Sequence, residues 1–206
     1  MQSGKWTLAA TLLAATMWTG AAYAQAKDPI RIGVPTALTG AYADLGNQAK
    51  RAIELAVDEA NAAGGVDGRK VEARFLDTEA KADLAKSQGE KLALSGYNLL
   101  MATIASGEGL ALGPQLAKWD AIYISTINKA NAITGASCNA RMFRVNHPDN
   151  SDAAVVKPWL ETRKEKKWAV IGMDGAWGRD SAASFKGAAT PQGKEIISES
   201  FSPLGT

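Results

Sequence analysis

From residue 30 onward, short apolar runs alternate with longer amphipathic stretches. Ile30-Arg31-Ile32-Gly33-Val34-Pro35 alternates in the manner of a strand and stops at a proline. After a loop over 36–42, Leu45, Ala49, Ala52, Ile53, Ala56, Val57 and Ala60 recur every three or four residues. Lys50, Arg51, Glu54, Asp58 and Glu59 fall between them, so the spacing predicts a helix with one apolar face, ended over 61–65 by Gly64 and Gly65. The pattern then repeats. It predicts strands over 71–77, 98–104, 121–125 and 141–145, with helices over 80–94 and 108–118, the latter bent or divided at Pro114. A connection over 146–150 leads to a helix over 151–164, which contains Pro158. A strand over 168–173, a helix over 179–189 and a strand over 194–201 follow.

Strands that alternate with helices predict the α/β class, with parallel sheets and crossover helices on both faces. Ligands of such sheets sit outside the carboxyl ends of the strands. That rule points to 38–45, 105–109, 125–134 and 174–178, where glycines and small polar residues gather. The chain stops directly after a strand, without the crossover helix that would complete its unit. The expectation is an N-terminal fragment.

Residues 1–24 follow another pattern. Lys5 precedes an apolar stretch over 8–18, no acidic residue occurs before Asp28, and Ala22-Tyr23-Ala24 has the small residues that signal peptidase requires. The apolar run is short for a span of about 20 residues. This predicts a cleaved secretion signal, a periplasmic product beginning at Gln25, and no lipid anchor, since no cysteine lies near the cleavage point.

Composition narrows the function classes. Among 206 residues, 46% are hydrophobic and 21% charged, which excludes a disordered or multi-span membrane chain. Lys and Arg number 23 against 21 Asp and Glu, and this near balance offers nucleic acid no basic surface. The single cysteine, Cys138, and the single histidine, His147, exclude a disulfide framework and Cys- or His-rich metal sites. Cys138 is expected in an apolar interior and His147 at the surface or a hinge. There is no G-x-G-x-x-G, no G-x-x-x-x-G-K-[ST] and no G-x-S-x-G, so neither a nucleotide cofactor nor a serine nucleophile is expected. The expected protein is not an enzyme and carries no cofactor or metal.

Two segments carry candidate binding chemistry. Ile104-Ala105-Ser106-Gly107-Glu108-Gly109 follows a buried strand and opens a helix. Ser106 and the unhindered Gly107 suit a ligand oxygen at the helix start, or Ser106 serves only as the N-cap of its own helix. Both readings stand at this point. Asp174-Gly175-Ala176-Trp177-Gly178 follows a strand. It presents Trp177, whose flat face and indole N–H suit a small organic ligand, or whose ring packs between elements.

Several segments together resemble a known family. They are 30–34 with Leu38-Thr39-Gly40, the run 60–69 (ANAAGGVDGR), Ala132-Ile133-Thr134-Gly135 before Cys138, Phe143-Arg144, and 174–178. They are similar to type I periplasmic solute-binding proteins, the leucine/isoleucine/valine-binding family of ABC transporters. The last segment looks like that family's D-Y-A-[FW]-G loop. The resemblance implies two Rossmann-like lobes with parallel sheets around a cleft, lobe 1 at 28–146 and a truncated lobe 2 begun at 147–206. It implies capture of a small organic solute (an amino acid, aromatic acid or amide) for a membrane permease of an ABC transporter. A periplasmic sensing domain of a receptor is the alternative on the same fold. By position, Ser106 with Gly107 resembles the binder of a ligand carboxylate, Asn128 and Lys129 the second head-group loop, Leu45 a wall of lobe 1, and Trp177 the aromatic from lobe 2. Lys129 replaces a small or hydroxyl residue and Gly175 a tyrosine. An inward lysine would favour an anion.

Overall fold

The structure, a computed structural model, describes residues 27–203. The expected leader at 1–24 lies outside the described residues. The strands are β1 (Ile30–Thr36), β2 (Val71–Asp77), β3 (Leu99–Met101), β4 (Ile122–Ser125), β5 (Met142–Arg144), β6 (Lys167–Met173) and β7 (Glu195–Ser202). The helices are α1 (Ala43–Ala62), α2 (Ala82–Leu94), α3 (Ser106–Leu112), α4 (Asp149–Thr162) and α5 (Ala176–Ala189). β1 to β5 form one sheet in the order β2-β1-β3-β4-β5, while β6 and β7 form a second. Every pairing in both sheets is parallel, so the α/β expectation holds. The change of sheet falls between β5 and β6, where α4 packs on α5.

The main core lies in the first sheet's layer. Leu92 of α2, Leu100 of β3, Leu112 of α3 and Tyr123 of β4 are fully buried there, with Leu116 and Ile133 from the connections. α1 crosses back so closely that a Cβ on Gly46 would stand 1.6 Å from the Ala37 carbonyl oxygen. Only glycine permits that crossing, and it draws the first turn of α1 over the carboxyl end of β1.

Several elements depart from the sequence expectation. β3 stops at Met101, three residues early, because Ala102 turns to φ 64° and sends 103–105 into a loop. α3 begins at Ser106 and gives way at Pro114 to a 3-10 turn over Gly113–Gln115. α4 begins at Asp149 and accommodates Pro158 within the helix. α5 begins at Ala176, so Trp177 lies in its first turn and not in a loop. Ala52 and Ala56 of α1 are exposed, because the apolar arc of that helix is wider than its contact with the sheet. Cys138 is also exposed, in the turn-rich segment between β4 and β5, so its expected burial is corrected.

Candidate functional site

The loops at the carboxyl ends of the first sheet meet the start of α5 around a cavity of about 370 Å³. Tyr42, Leu45, Ile104 and Ile127 line it from the first sheet's side, and Met173 and Trp177 from the second. The Tyr42 hydroxyl donates to Met173 Sδ at 2.8 Å across the two sides.

Each loop is tied to the next by a side chain. Asp77, at the end of β2, accepts from the Leu38 and Thr39 N–H groups at 2.8 and 3.2 Å and from the Thr39 hydroxyl at 2.5 Å. Thr78 donates to Glu108 Oε1. Glu108 Oε2 accepts from the Ile104 and Ala105 N–H groups at 2.9 and 2.6 Å. Asn128 Nδ2 donates to the carbonyls of Thr103, Ile104 and Ala105 at 3.1, 3.1 and 2.9 Å, while its Oδ1 accepts from Thr103 and Tyr123. Arg144 reaches the carbonyls of Lys129 and Ala130. Interlocked polar groups of this kind hold a site in one geometry before any ligand arrives.

Ser106 sits at the floor of the cavity and is 3% exposed. It is the first residue of α3 and does not cap it. Ala105 occupies the cap position, and Glu108, three residues on, reaches back to the Ala105 N–H. The Ser106 hydroxyl oxygen accepts from the Lys129 and Ala130 N–H groups, each at 3.1 Å. Its own proton has no acceptor among the described residues. A Cβ placed on Gly107 would meet nothing within 4 Å, so the backbone there stands open to the cavity.

Leu45, Ser106, Gly107, Lys129 and Trp177 all line the cavity. Asn128 does not. It is 1% exposed, and its side chain is consumed in joining the two loops. The Lys129 ammonium is paired with Asp152, whose other oxygen takes His147 Nε2 at 2.8 Å, so Lys129 is no free cation. The Trp177 indole N–H, expected to serve a ligand, instead donates to Asp149 Oδ1 at 3.0 Å. The ring, 41% exposed, keeps only its faces for a solute.

Burial pushes the Glu108 carboxyl above the ordinary glutamate range, against the bonds from Thr78, Ala105 and Ile104 that favour its charged form. Burial also raises Tyr42, with Glu108 adding to the effect. Asp149 is raised by burial, against bonds from Ser181 and Trp177. Burial would raise Asp77 as well, but the bonds from Thr39, Glu79 and Leu38 together hold it below the ordinary aspartate range. Sequence reasoning did not single out Glu108, Asp77 or Asp149. An acidic residue three positions past a cap was the one available signal, at Glu108.

The model of the periplasmic binding protein family matches residues 29–206. The chain belongs to that family. The Leu/Ile/Val-binding protein homolog 3 of Brucella melitensis is 30% identical over 203 residues, covering 95% of this chain and 53% of the relative. The Leu/Ile/Val-binding protein BraC3 of Rhizobium johnstonii is 27% identical over 198 residues, covering 96% and 53%. The chain thus spans about half the length of the curated relatives it matches. A solute-binding protein of an ABC transporter from Rhodopseudomonas palustris, solved with 3,4-dihydroxybenzoic acid, superposes with a TM-score of 0.77. It is 24% identical, covering 85% of this chain and 47% of that one. The fold is that of the type I periplasmic binding proteins. No helix among the described residues is long and apolar enough to cross a membrane.

Proposed function

We propose that the chain forms the head-group side of a periplasmic solute-binding protein and takes a small carboxylate for delivery to an ABC permease. The observation that carries this reading is the Ser106 hydroxyl. Two peptide N–H groups donate to its oxygen, and its own proton, without an acceptor among the described residues, is left for a ligand in the cavity it lines. Beside it, the open Gly107 backbone lets a ligand oxygen approach closely. Beyond it, Leu45, Ile104, Ile127, Met173 and Trp177 give the cavity apolar walls, so the solute pairs a carboxylate head with an aromatic or branched aliphatic body.

Among the described residues both carboxylates that line the cavity are engaged. Glu108 holds three donors, and Asp174 holds Arg179 at 2.8 and 2.9 Å. The exposed ring of Trp177 at the cavity supports an aromatic monocarboxylate, as in the Rhodopseudomonas relative, ahead of a branched aliphatic amino acid, as the names of the Brucella and Rhizobium relatives indicate. Export through residues 1–24 belongs to the same proposal, and N-terminal sequencing of a periplasmic fraction should begin at Gln25.

Ligand-observed NMR on the chain without residues 1–24 tests the reading, since it detects dissociation constants of about 1 mM, or about −4 kcal/mol. Saturation transfer to benzoate is expected, weaker for leucine, and lost in Ser106→Ala. Absence of transfer to both ligands, or transfer that Ser106→Ala leaves intact, overturns it.

A further inference from the structure

The first turn of α4 touches both sides of the cavity. Its peptide N–H groups reach the first sheet's side: Asp149 donates to the Lys129 carbonyl at 3.0 Å and Asn150 to Asn131 Oδ1 at 2.9 Å. Its carboxylates take donors from two residues that line the cavity. Asp152 holds the Lys129 ammonium, and Asp149 holds the Trp177 indole at 3.0 Å. Asn131 continues the tie, since its N–H donates to Asp180 at 2.7 Å and its amide to the Ser184 hydroxyl at 2.9 Å, both on α5.

We propose that Asp149 is the positioning residue for Trp177. Through it, the first turn of α4 sets the indole ring against the head-group loop at 128–131. This rests on the reading of the cavity as a solute site. A half-exposed tryptophan with neighbours on one side is free to rotate about its second side-chain torsion. A hydrogen bond from its N–H to a carboxylate that is itself 2% exposed removes that freedom. Because the same turn is bonded to the Lys129 carbonyl, ring and head-group loop move as one piece. The solute therefore meets a preset aromatic face and does not have to order it, which lowers the entropy cost of binding.

Indole NMR on the purified chain without residues 1–24 tests this without any ligand. Four indoles remain there: Trp119, Trp159, Trp168 and Trp177. Trp119 donates to Glu90 and Trp168 to the Glu165 carbonyl, so both serve as internal controls for the fold. With Trp177 assigned through Trp177→Phe, its N–H is expected to exchange with solvent at least tenfold faster in Asp149→Ala. Asp149→Asn, which keeps an acceptor oxygen, restores the slow rate. Unchanged Trp177 exchange in Asp149→Ala, with Trp119 and Trp168 also unchanged, overturns the proposal.

Should Asp149→Ala lose the control signals too, the Asp149→Asn titration decides. The groups facing Asp149 are Lys129 and Arg144 from the first sheet's side, Asp152 on α4, and Ser181 and Trp177 on α5, with His147 beyond Asp152. The Trp177 indole nitrogen frequency is expected to follow an acidic carboxyl step in the wild type that disappears in Asp149→Asn. A step of equal size in both overturns the assignment. Failure of benzoate to bind would sink the solute reading and leave these exchange rates as they are.

Discussion

The side-chain amide of Asn128 donates to the carbonyl oxygen of Ala105 at 2.9 Å, joining the loop after β4 to the loop after β3. The same amide reaches the Thr103 and Ile104 carbonyls, and its oxygen takes the Thr103 and Tyr123 hydroxyls, all in the buried interior. A Cβ on Gly109 would stand 2.7 Å from that oxygen, so α3 is pressed against the amide as well. Asn128 is therefore a structural bolt behind the floor on which Ser106 rests.

Asn128→Ala should accordingly destabilise the chain by about 2–4 kcal/mol, since each buried polar group left unpaired costs about 1–3 kcal/mol. Asn128→Asp should be no better, because it sets a buried carboxylate against three carbonyl oxygens. Urea unfolding midpoints of the two variants check this. A loss below about 0.5 kcal/mol would mean that the loops hold together without the amide.

Glu108 gives a pH dependence of definite sign. Its folded pKa lies above the ordinary glutamate value, so in that window the folded state binds the proton more tightly than the unfolded state. Its contribution is most favourable below the unfolded value and is lost as pH rises through the folded one. Glu108→Gln keeps an oxygen for the Ile104 and Ala105 N–H groups and removes the buried charge. Relative to wild type it should gain stability progressively as pH rises from the ordinary glutamate range towards neutrality. Glu108→Ala should lose stability at every pH, since two N–H groups and the Thr78 hydroxyl lose their acceptor. Paired denaturant titrations across that range measure both.

Asp77 has the opposite sign. Its folded pKa lies below the ordinary aspartate value, so its contribution is present above the unfolded value and lost as pH falls through the folded one. Asp77→Ala should cost about 1–3 kcal/mol near neutrality, through lost bonds to charged acceptor oxygens, and progressively less in acid. An equal cost at all pH values would show that the carboxylate's charge does not hold the β1–α1 loop.

The alternation of strand and helix was legible along the chain because burial imposes it residue by residue. β1 and β2 read as strands from their own apolar positions, and both form over nearly the expected spans. β3 read too long because apolar residues continue to Ile104, whereas the backbone turns at Ala102. Nothing local announces that turn, and the loop that follows it, 103–105, is held by Asn128 and Glu108 from later elements. The same separation explains the site. Ser106, Gly107 and Trp177 stood out by their position at strand ends. The acids that hold the surrounding loops and the Trp177 ring, Asp77, Glu108 and Asp149, lie 28 to 39 positions away from their partners or are masked as ordinary helix-start acids. Whether Lys129 offers a charge to an anion was open in the sequence, because Asp152, 23 positions on, is brought to it only by the fold.

Gly107 separates binding from folding. Nothing lies within 4 Å of a Cβ built there, whereas one on Gly46 would overlap the Ala37 carbonyl. Gly107→Ala should therefore leave stability unchanged or raise it by about 0.5–1 kcal/mol, since alanine gives up less backbone freedom in a helix than glycine. Gly46→Ala should cost several kcal/mol or prevent folding, because the obstacle is backbone that has no rotamer to change. The added methyl at 107 intrudes where a solute oxygen would approach Ser106. A thermal midpoint at or above wild type, together with at least tenfold weaker benzoate saturation transfer, is the expected pairing for Gly107→Ala. Transfer at the wild-type level in a stable Gly107→Ala chain would place the carboxylate elsewhere in the cavity.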